Sequence, residues 1–361
     1  MARLGISVYP EHSTLEKDKQ YIKKASDCGF KRIFTCLLSV NKSREETINE
    51  FRELIDYAHE CGMEVVLDVA PSVFDKFDAS YQDLSFFAQM HADGIRLDEG
   101  FDGLKESLMS YNKENLKIEI NASFGNKYLE NILSHYPNVD QMITCHNFYP
   151  QRYSGLSLSH FNKCNENIKK CNFKIAAFIS SQNKDTFGPW PVNEGLCTLE
   201  MHRDLPIDVQ IRHLAATRMI DDIIIANAYA SDEELELCAK INCNKLTFKI
   251  DFEKELSEVE EKIIYEHEHF IRGDMSEYSA RSTMPRITYA NESIKAMNTR
   301  DLKRGDVIIL NDEYGRYKGE LQIVLKDMPN DGRKNVVGVI GEKERMLLDY
   351  IEPWKPFGFM K

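Results

Sequence analysis

Short apolar runs alternate with polar, helix-patterned stretches along roughly the first 240 residues. The runs are Leu4–Tyr9, Lys31–Leu38, Glu64–Ala70, Gly94–Asp98, Lys117–Ser123, Gln141–Tyr149, Lys174–Ser181 and Asp222–Ala228. Between them, apolar residues recur at helical spacing over Leu15–Gly29, Ser43–Gly62, Asp83–His91, Asn126–Ser134, Leu158–Cys171, Ile207–Met219 and Asp232–Ile241. Ser13 or Thr14 can cap the first of these helices, and Gly29 and Gly62 can stop the first two. Strand and helix alternating in this way predict an α/β fold, a (β/α)8 TIM barrel spanning residues 1–241. An open doubly wound sheet is the competing layout. Neither Gly-x-Gly-x-x-Gly after the first strand nor Gly-x-x-x-x-Gly-Lys-[Ser/Thr] occurs to support it.

After Ile241 the rhythm changes. Lys245–Phe252 reads as a strand and Ser257–Phe270 as a charged helix. A basic, turn-rich stretch follows, and then strands at Asp306–Leu310, Tyr317–Lys326 and Asn335–Ile340. The turns Asp312-Glu313-Tyr314-Gly315 and Pro329-Asn330-Asp331-Gly332 separate them. Residues 242–361 are therefore expected to form a small, mostly antiparallel β domain.

Composition adds limits. Of 361 residues, 42% are hydrophobic and 29% charged, and the formal charge is -12. That acidity argues against nucleic acid or anionic lipid as a partner, though not against an anionic small molecule in a local basic pocket. No apolar run approaches the roughly 20 residues that span a bilayer, and Met1–Pro10 lacks a secretory apolar region. Nine cysteines, without a C-x-x-C pair, suit reduced thiols. The expected setting is cytoplasmic. The oligomeric state is left open.

In a barrel, the site lies where the strands end. This selects Glu11, Asp68, Arg96, Asp98, Asn121, His146, Asn147, Tyr149, Arg152, Ser180 and Asn227. Side-chain alternation puts Arg96 and Asp98 on one face, and aspartates near the ends of two adjacent strands imply a polar cavity. The long stretch Gly188–Arg203 adds Glu194 and Glu200. Carboxylates beside aromatic and amide groups suit glycoside hydrolysis. A metal-dependent aldolase or epimerase would need His146, Asp68 and Asp98 to converge, with no spacing motif to help. Lys117 and Lys174 begin strands, the wrong end for a Schiff base. A non-catalytic binder of a sugar phosphate or peptide is the rival from another class.

Several stretches together resemble one bacterial family. They are Leu4-Gly5-Ile6-Ser7-Val8-Tyr9-Pro10, Gly94-Ile95-Arg96-Leu97-Asp98 and His146-Asn147-Phe148-Tyr149-Pro150. Others are Glu194-Gly195-Leu196, Thr198-Leu199-Glu200, Arg272-Gly273-Asp274-Met275-Ser276-Glu277-Tyr278 and Gly315–Ile323. The chain is similar along almost its whole length to the 6-phospho-N-acetylmuramidases. The resemblance implies a TIM-barrel glycosidase with a C-terminal cyclophilin-like domain. It also implies intracellular cleavage of 6-phospho-N-acetylmuramyl-β-1,4-N-acetylglucosamine in cell-wall recycling, without cofactor or metal.

On that reading Asp98 and Asp68 are the leading catalytic carboxylates, with Glu194 and Glu200 as alternatives for the general acid. Glu11, Asn121, His146, Asn147, Tyr149, Ser180 and Asn227 are expected to position substrate. Arg96 and Arg152 are candidates for its anionic groups, as are Arg272, Arg281 and Arg286 if the second domain leans over the mouth.

Overall fold

The computed structural model describes residues 2–361 and divides into two compact units, Met1–Ile241 and Asn242–Lys361. In the first, eight parallel strands close a barrel in sequence order. They are β1 (Arg3–Ser7), β2 (Arg32–Cys36), β3 (Glu64–Val69), β4 (Gly94–Leu97), β5 (Lys117–Asn121), β6 (Met142–Cys145), β7 (Ile175–Ile179) and β8 (Asp222–Ile225). The helices are α1 (Leu15–Asp27), α2 (Arg44–Glu60), α3 (Pro71–Lys76), α4 (Ser85–Gln89), α5 (Leu104–Met109), α6 (Tyr128–Ser134), α7 (Leu158–Lys170), α8 (Ile207–Thr217) and α9 (Asp232–Ala239). Their starts follow local chemistry. Thr14 caps α1 and Ser157 caps α7, while Ser43 with Glu46 and Ser231 with Glu234 form capping boxes.

The barrel lumen has two parts. Toward the strand starts, Arg32 is fully buried between Glu119 and Asp222, and Arg3 bonds Asp222 at 2.8 Å and Glu64 at 2.8 Å. A cavity of about 380 Å³ opens there, lined by Arg3, Arg32, Glu64, Lys117, Lys174 and Asp222 among others. Above it, Phe34, Phe178, Cys36, Cys145, Ile224 and Ala226 form an apolar cluster with Tyr9. The barrel therefore holds a charged base, an apolar waist and an open upper end.

The second unit contains β9 (Leu246–Phe248), β10 (Ile250–Phe252), α10 (Glu258–Tyr265), β11 (His269–Phe270), β12 (Ser279–Ser282), α11 (Pro285–Thr288), β13 (Asp306–Leu310), β14 (Leu321–Val324), β15 (Lys334–Ile340) and β16 (Pro356–Phe359). A five-stranded sheet runs β10-β15-β13-β14-β12 and a three-stranded sheet runs β11-β16-β9. Its core joins Phe248, Val259, Ile263, Ala280, Val307, Ile309, Leu321 and Ile323.

Three sequence expectations are corrected here. The stretch Lys245–Phe252 is two strands, β9 and β10, which break at Lys249 and join different sheets. The helix expected over Ser257–Phe270 ends at Tyr265, because His269 enters β11 and is buried. The strand expected from Tyr317 starts at Leu321. Before it, Asp312–Tyr317 turns as 3-10 helix, with Gly315 and Gly319 at positive φ that β structure excludes. Helices α3 and α5 were not anticipated. Pro71 opens α3 directly after β3.

Candidate active site

At the strand ends the barrel mouth divides into a polar and an aromatic half. The polar half comes from β3 to β6. Arg96 is buried and projects into the lumen, where its Nη1 donates to Asp68 Oδ1 and, at 3.0 Å, to Asp98 Oδ1. Its Nη2 donates to Asn147 Oδ1. Asn121 Nδ2 donates to the same Asn147 oxygen at 2.8 Å and to the Asp98 carbonyl at 2.9 Å. Two donors on Asn147 Oδ1 fix that amide's orientation. Its Nδ2 then carries no hydrogen bond among the described residues and serves as an available donor beside Asp98.

The two aspartates differ. Asp98 keeps 35% of its side chain exposed, while Asp68 keeps 6% and lies 3.8 Å from the Cys36 thiol. Burial pushes the Asp68 carboxyl up to about 7, against the attraction of Arg96, and the negative charges of Asp98 and Glu119 add to the rise. Both aspartates accept from one nitrogen. Two bonds of about 3 Å to a shared atom place their oxygens no more than about 6 Å apart.

The aromatic half comes from β2, β7 and the segments that follow β1, β6, β7 and β8. Phe34, Phe148 and Phe178 meet edge-to-face, with centroids 5.0 to 5.9 Å apart. Tyr9 and Tyr229 flank Phe187 at 6.3 and 5.3 Å. Phe34, Phe178 and Tyr9 are buried, and the half-buried rings of Phe148, Phe187 and Tyr229 above them are the part that suits the C–H faces and methyl groups of a sugar.

His146 is corrected from a substrate-contacting group to a supporting one. Alternation along β6 sends Cys145 and Asn147 inward and His146 outward, against α7. There its ring packs on Phe161 with centroids 4.7 Å apart, and Nε2 donates to Asn165 Oδ1 at 2.8 Å. Nδ1 accepts from Ser123 Oγ at 3.2 Å, and that hydroxyl accepts the Asn147 N–H at 2.8 Å. Burial lowers the imidazole pKa to about 4 and keeps it neutral. His146 thus acts through Ser123 on the Asn147 backbone. Tyr149 stays half-buried beside Ser123, and burial raises its phenol pKa.

Ser180 and Asn227 are corrected in the same way. Both are buried and occupied in holding the long segment after β7. Ser180 Oγ accepts from Leu196 N at 3.1 Å, while Asn227 bonds both the N–H and the carbonyl of Ser181. Glu200 is also corrected. Its carboxylate takes Arg203 Nε and Nη2 at 2.7 and 2.6 Å, and the Tyr153 and Gly155 N–H groups at 2.8 Å. Arg203 and these backbone donors lower its pKa to about 2, which leaves no proton to give near neutrality.

Glu194 is exposed and accepts from Arg152 N at 2.9 Å; Arg152 forks onto Asp204 at 2.6 and 3.0 Å. Glu11 accepts from Asn41 N at 3.1 Å. In the second unit Arg272 pairs with Asp274, whereas Arg281 and Arg286 both face Glu320. Sequence reasoning passed over Cys36 and the Phe34–Phe148–Phe178 cluster, because apolar strand residues signal only core. Position at the end of β2 was the cue that would have found Cys36.

Replacing Glu200 with Gln should cost about 1–2 kcal/mol of stability near neutrality through its weakened charged bonds. Its folded pKa lies below the ordinary value of 4.5. That stability is therefore present above 4.5 and is lost as pH falls toward 2. Turnover should stay within about tenfold, where loss of a general acid would cost roughly 10²–10⁴. Urea titrations at several pH values and a rate assay separate the two outcomes.

Comparison with known proteins accounts for both units. The model of the 6-phospho-N-acetylmuramidase N-terminal domain matches residues 4–240 and that of the C-terminal domain residues 246–360. A crystal structure of an uncharacterized B. cereus protein is 51% identical, covers all of both chains and superposes with a TM-score of 0.92. A conserved Enterococcus faecalis protein of unknown function is 24% identical, covers 100% of this chain and 96% of its own, and shares the fold at a TM-score of 0.75. No curated protein matches. Since the two family models together account for residues 4–360, less a short join, the chain belongs to the 6-phospho-N-acetylmuramidase family.

Proposed function

We propose that this protein hydrolyses 6-phospho-N-acetylmuramyl-β-1,4-N-acetylglucosamine, releasing N-acetylglucosamine and 6-phospho-N-acetylmuramic acid during cell-wall recycling in the cytoplasm. The observation that carries the reading is the pair Asp68 and Asp98 on the shared guanidinium of Arg96. Asp98, the more exposed, faces the glycosidic bond. Asp68 holds a proton near neutrality behind it. Asn147 Nδ2 donates to the muramyl 2-acetamido group, and the half-buried rings of Phe148, Phe187 and Tyr229 receive the apolar substituents. Oxygens within about 6 Å leave too little room for the water that an inverting enzyme places between its carboxyl groups, at about 6.5–9.5 Å. The anomeric configuration is therefore retained, with either Asp98 or the acetamido oxygen as the nucleophile. The leaving oxygen takes the proton held on the Asp68–Asp98 pair as the nucleophile bonds to the anomeric carbon, and water then displaces that nucleophile and returns a proton to the pair.

The test incubates the pure protein with the phosphorylated and unphosphorylated disaccharides and follows product anomers by NMR. The expected result is retained configuration and a strong preference for the phosphorylated substrate. Saturable binding without product would favour a binding protein instead. The pH profile is a further check. The folded pKa of Asp68 lies near 7, above its ordinary 3.8. Its protonated form is held below that value and lost as pH rises through 7, which adds negative charge beside Asp98. kcat/KM should fall above about pH 7, and Asp68→Asn should remove that limb.

A further inference from the structure

The second unit has a basic surface that the barrel chemistry does not use. β12 is an edge strand, and its partner β14 sets Arg281 directly opposite Gln322. Alternation sends Ala280 and Ile323 into the core and leaves Arg281, Gln322 and Glu320 on the other face. Glu320 is fully buried. It accepts from Arg281 Nε at 2.6 Å, Arg281 Nη2 at 3.2 Å and Gln322 Nε2 at 2.8 Å, and Arg286 Nη1 lies 3.6 Å away. Arg286 and Arg316 also stand 5.6 and 5.3 Å from the centre of the Tyr317 ring.

One buried carboxylate thus backs two guanidinium groups, an excess of one positive charge, and Arg316 adds a third guanidinium against the Tyr317 ring. The side chains of Arg281 and Arg286 remain about a quarter exposed. Arg281 Nη1 and Arg286 Nε and Nη2 form no hydrogen bonds among the described residues. Arginines held from beneath, with outward donors unspent, are pre-set for a planar or tetrahedral oxyanion. Charge selects between anions. A carboxylate would match the excess of the Glu320 pair alone, whereas a phosphate monoester, with nearly two negative charges near neutrality, also answers Arg316.

We propose that Arg281 and Arg286, set by Glu320 and assisted by Arg316, form a receptor for the phosphate group of a sugar phosphate. The choice of a sugar as carrier rests on the reading under Proposed function; the anion site itself does not. The test is calorimetric titration of the full chain with N-acetylglucosamine 6-phosphate, N-acetylglucosamine and inorganic phosphate. The wild-type chain should bind the phosphosugar and inorganic phosphate but not the neutral sugar. Arg286→Gln and Arg281→Lys should each weaken binding about tenfold or more, as expected for one lost charge-assisted contact. Arg333→Gln, which removes an exposed arginine paired with Asp331 in the same unit, should leave it unchanged.

Arg281→Lys keeps a charge on Glu320, and thermal unfolding checks that each variant is folded. Unchanged affinity in both receptor variants, or no phosphate binding by the wild-type chain, would overturn the receptor. Because the readout is binding, failure to hydrolyse the disaccharide would count against the reaction alone.

Discussion

Asp98→Asn should lower kcat/KM on the phosphorylated disaccharide by at least about 10²–10⁴, the usual range for a positioned proton-transfer group. Stability should hardly change. The side chain is one-third exposed, and Arg96 retains its bonds to Asp68 and Asn147 when the Asp98 oxygen becomes an amide oxygen. Loss of activity without loss of fold is the signature of a residue that meets substrate. A folded Asp98→Asn protein turning over at near-wild-type rate would show that another carboxylate faces the bond. Glu194 would then be next, since it is exposed and only one of its oxygens takes a bond, from Arg152 N.

Arg96→Met should damage both stability and activity. The guanidinium is buried and serves Asp68, Asp98 and Asn147 at once, so its removal leaves buried Asp68 without a counter-charge. Breaking a buried pair from one side costs about 3–5 kcal/mol. Without Arg96 the Asp68 pKa moves further above its ordinary 3.8. With Arg96 present the folded pKa is already about 7, so below about pH 6 the carboxyl is neutral in both folded proteins and the extra deficit is smallest there; it grows as pH rises through 7, where only the wild-type carboxylate keeps its counter-charge. Urea unfolding at pH 5 and pH 8 measures that difference, and an equal deficit at both would contradict the assigned pairing. Activity should fall by more than about 10³ even where the protein is folded, because both aspartates lose their common anchor.

Much of the barrel was legible because each strand is a short apolar run and α1, α2, α7 and α9 carry side-chain caps of their own. The polar half of the mouth followed from the same pattern. Asp68, Arg96, Asp98, Asn121 and Asn147 sit at strand ends and meet there. What failed was the direction of particular side chains. His146 and Asn147 are adjacent and equally polar, and only the register of β6 against β5 and β7 decides which enters the lumen. Glu200 was misread because its partner Arg203 and the Tyr153 and Gly155 amides meet it only after the long segment folds back. In the second unit, the two glycines at positive φ delay a strand that composition alone would start earlier.

The charged base of the barrel bears on how the barrel is assembled. Arg32 needs Glu119 from the middle of the barrel sequence and Asp222 from its end, and Asp222 also receives Arg3 from its beginning. A half barrel ending after β5 would leave Arg32 with Glu119 alone and Arg3 with only the exposed Glu64. A closed barrel with slipped register would set like charges together or leave a buried charge unmatched. The ring thus penalises incomplete and mis-registered closures by more than it stabilises the correct one. It works as a proofreading device for strand order, joining the first strand to the last only when every strand between them is in place.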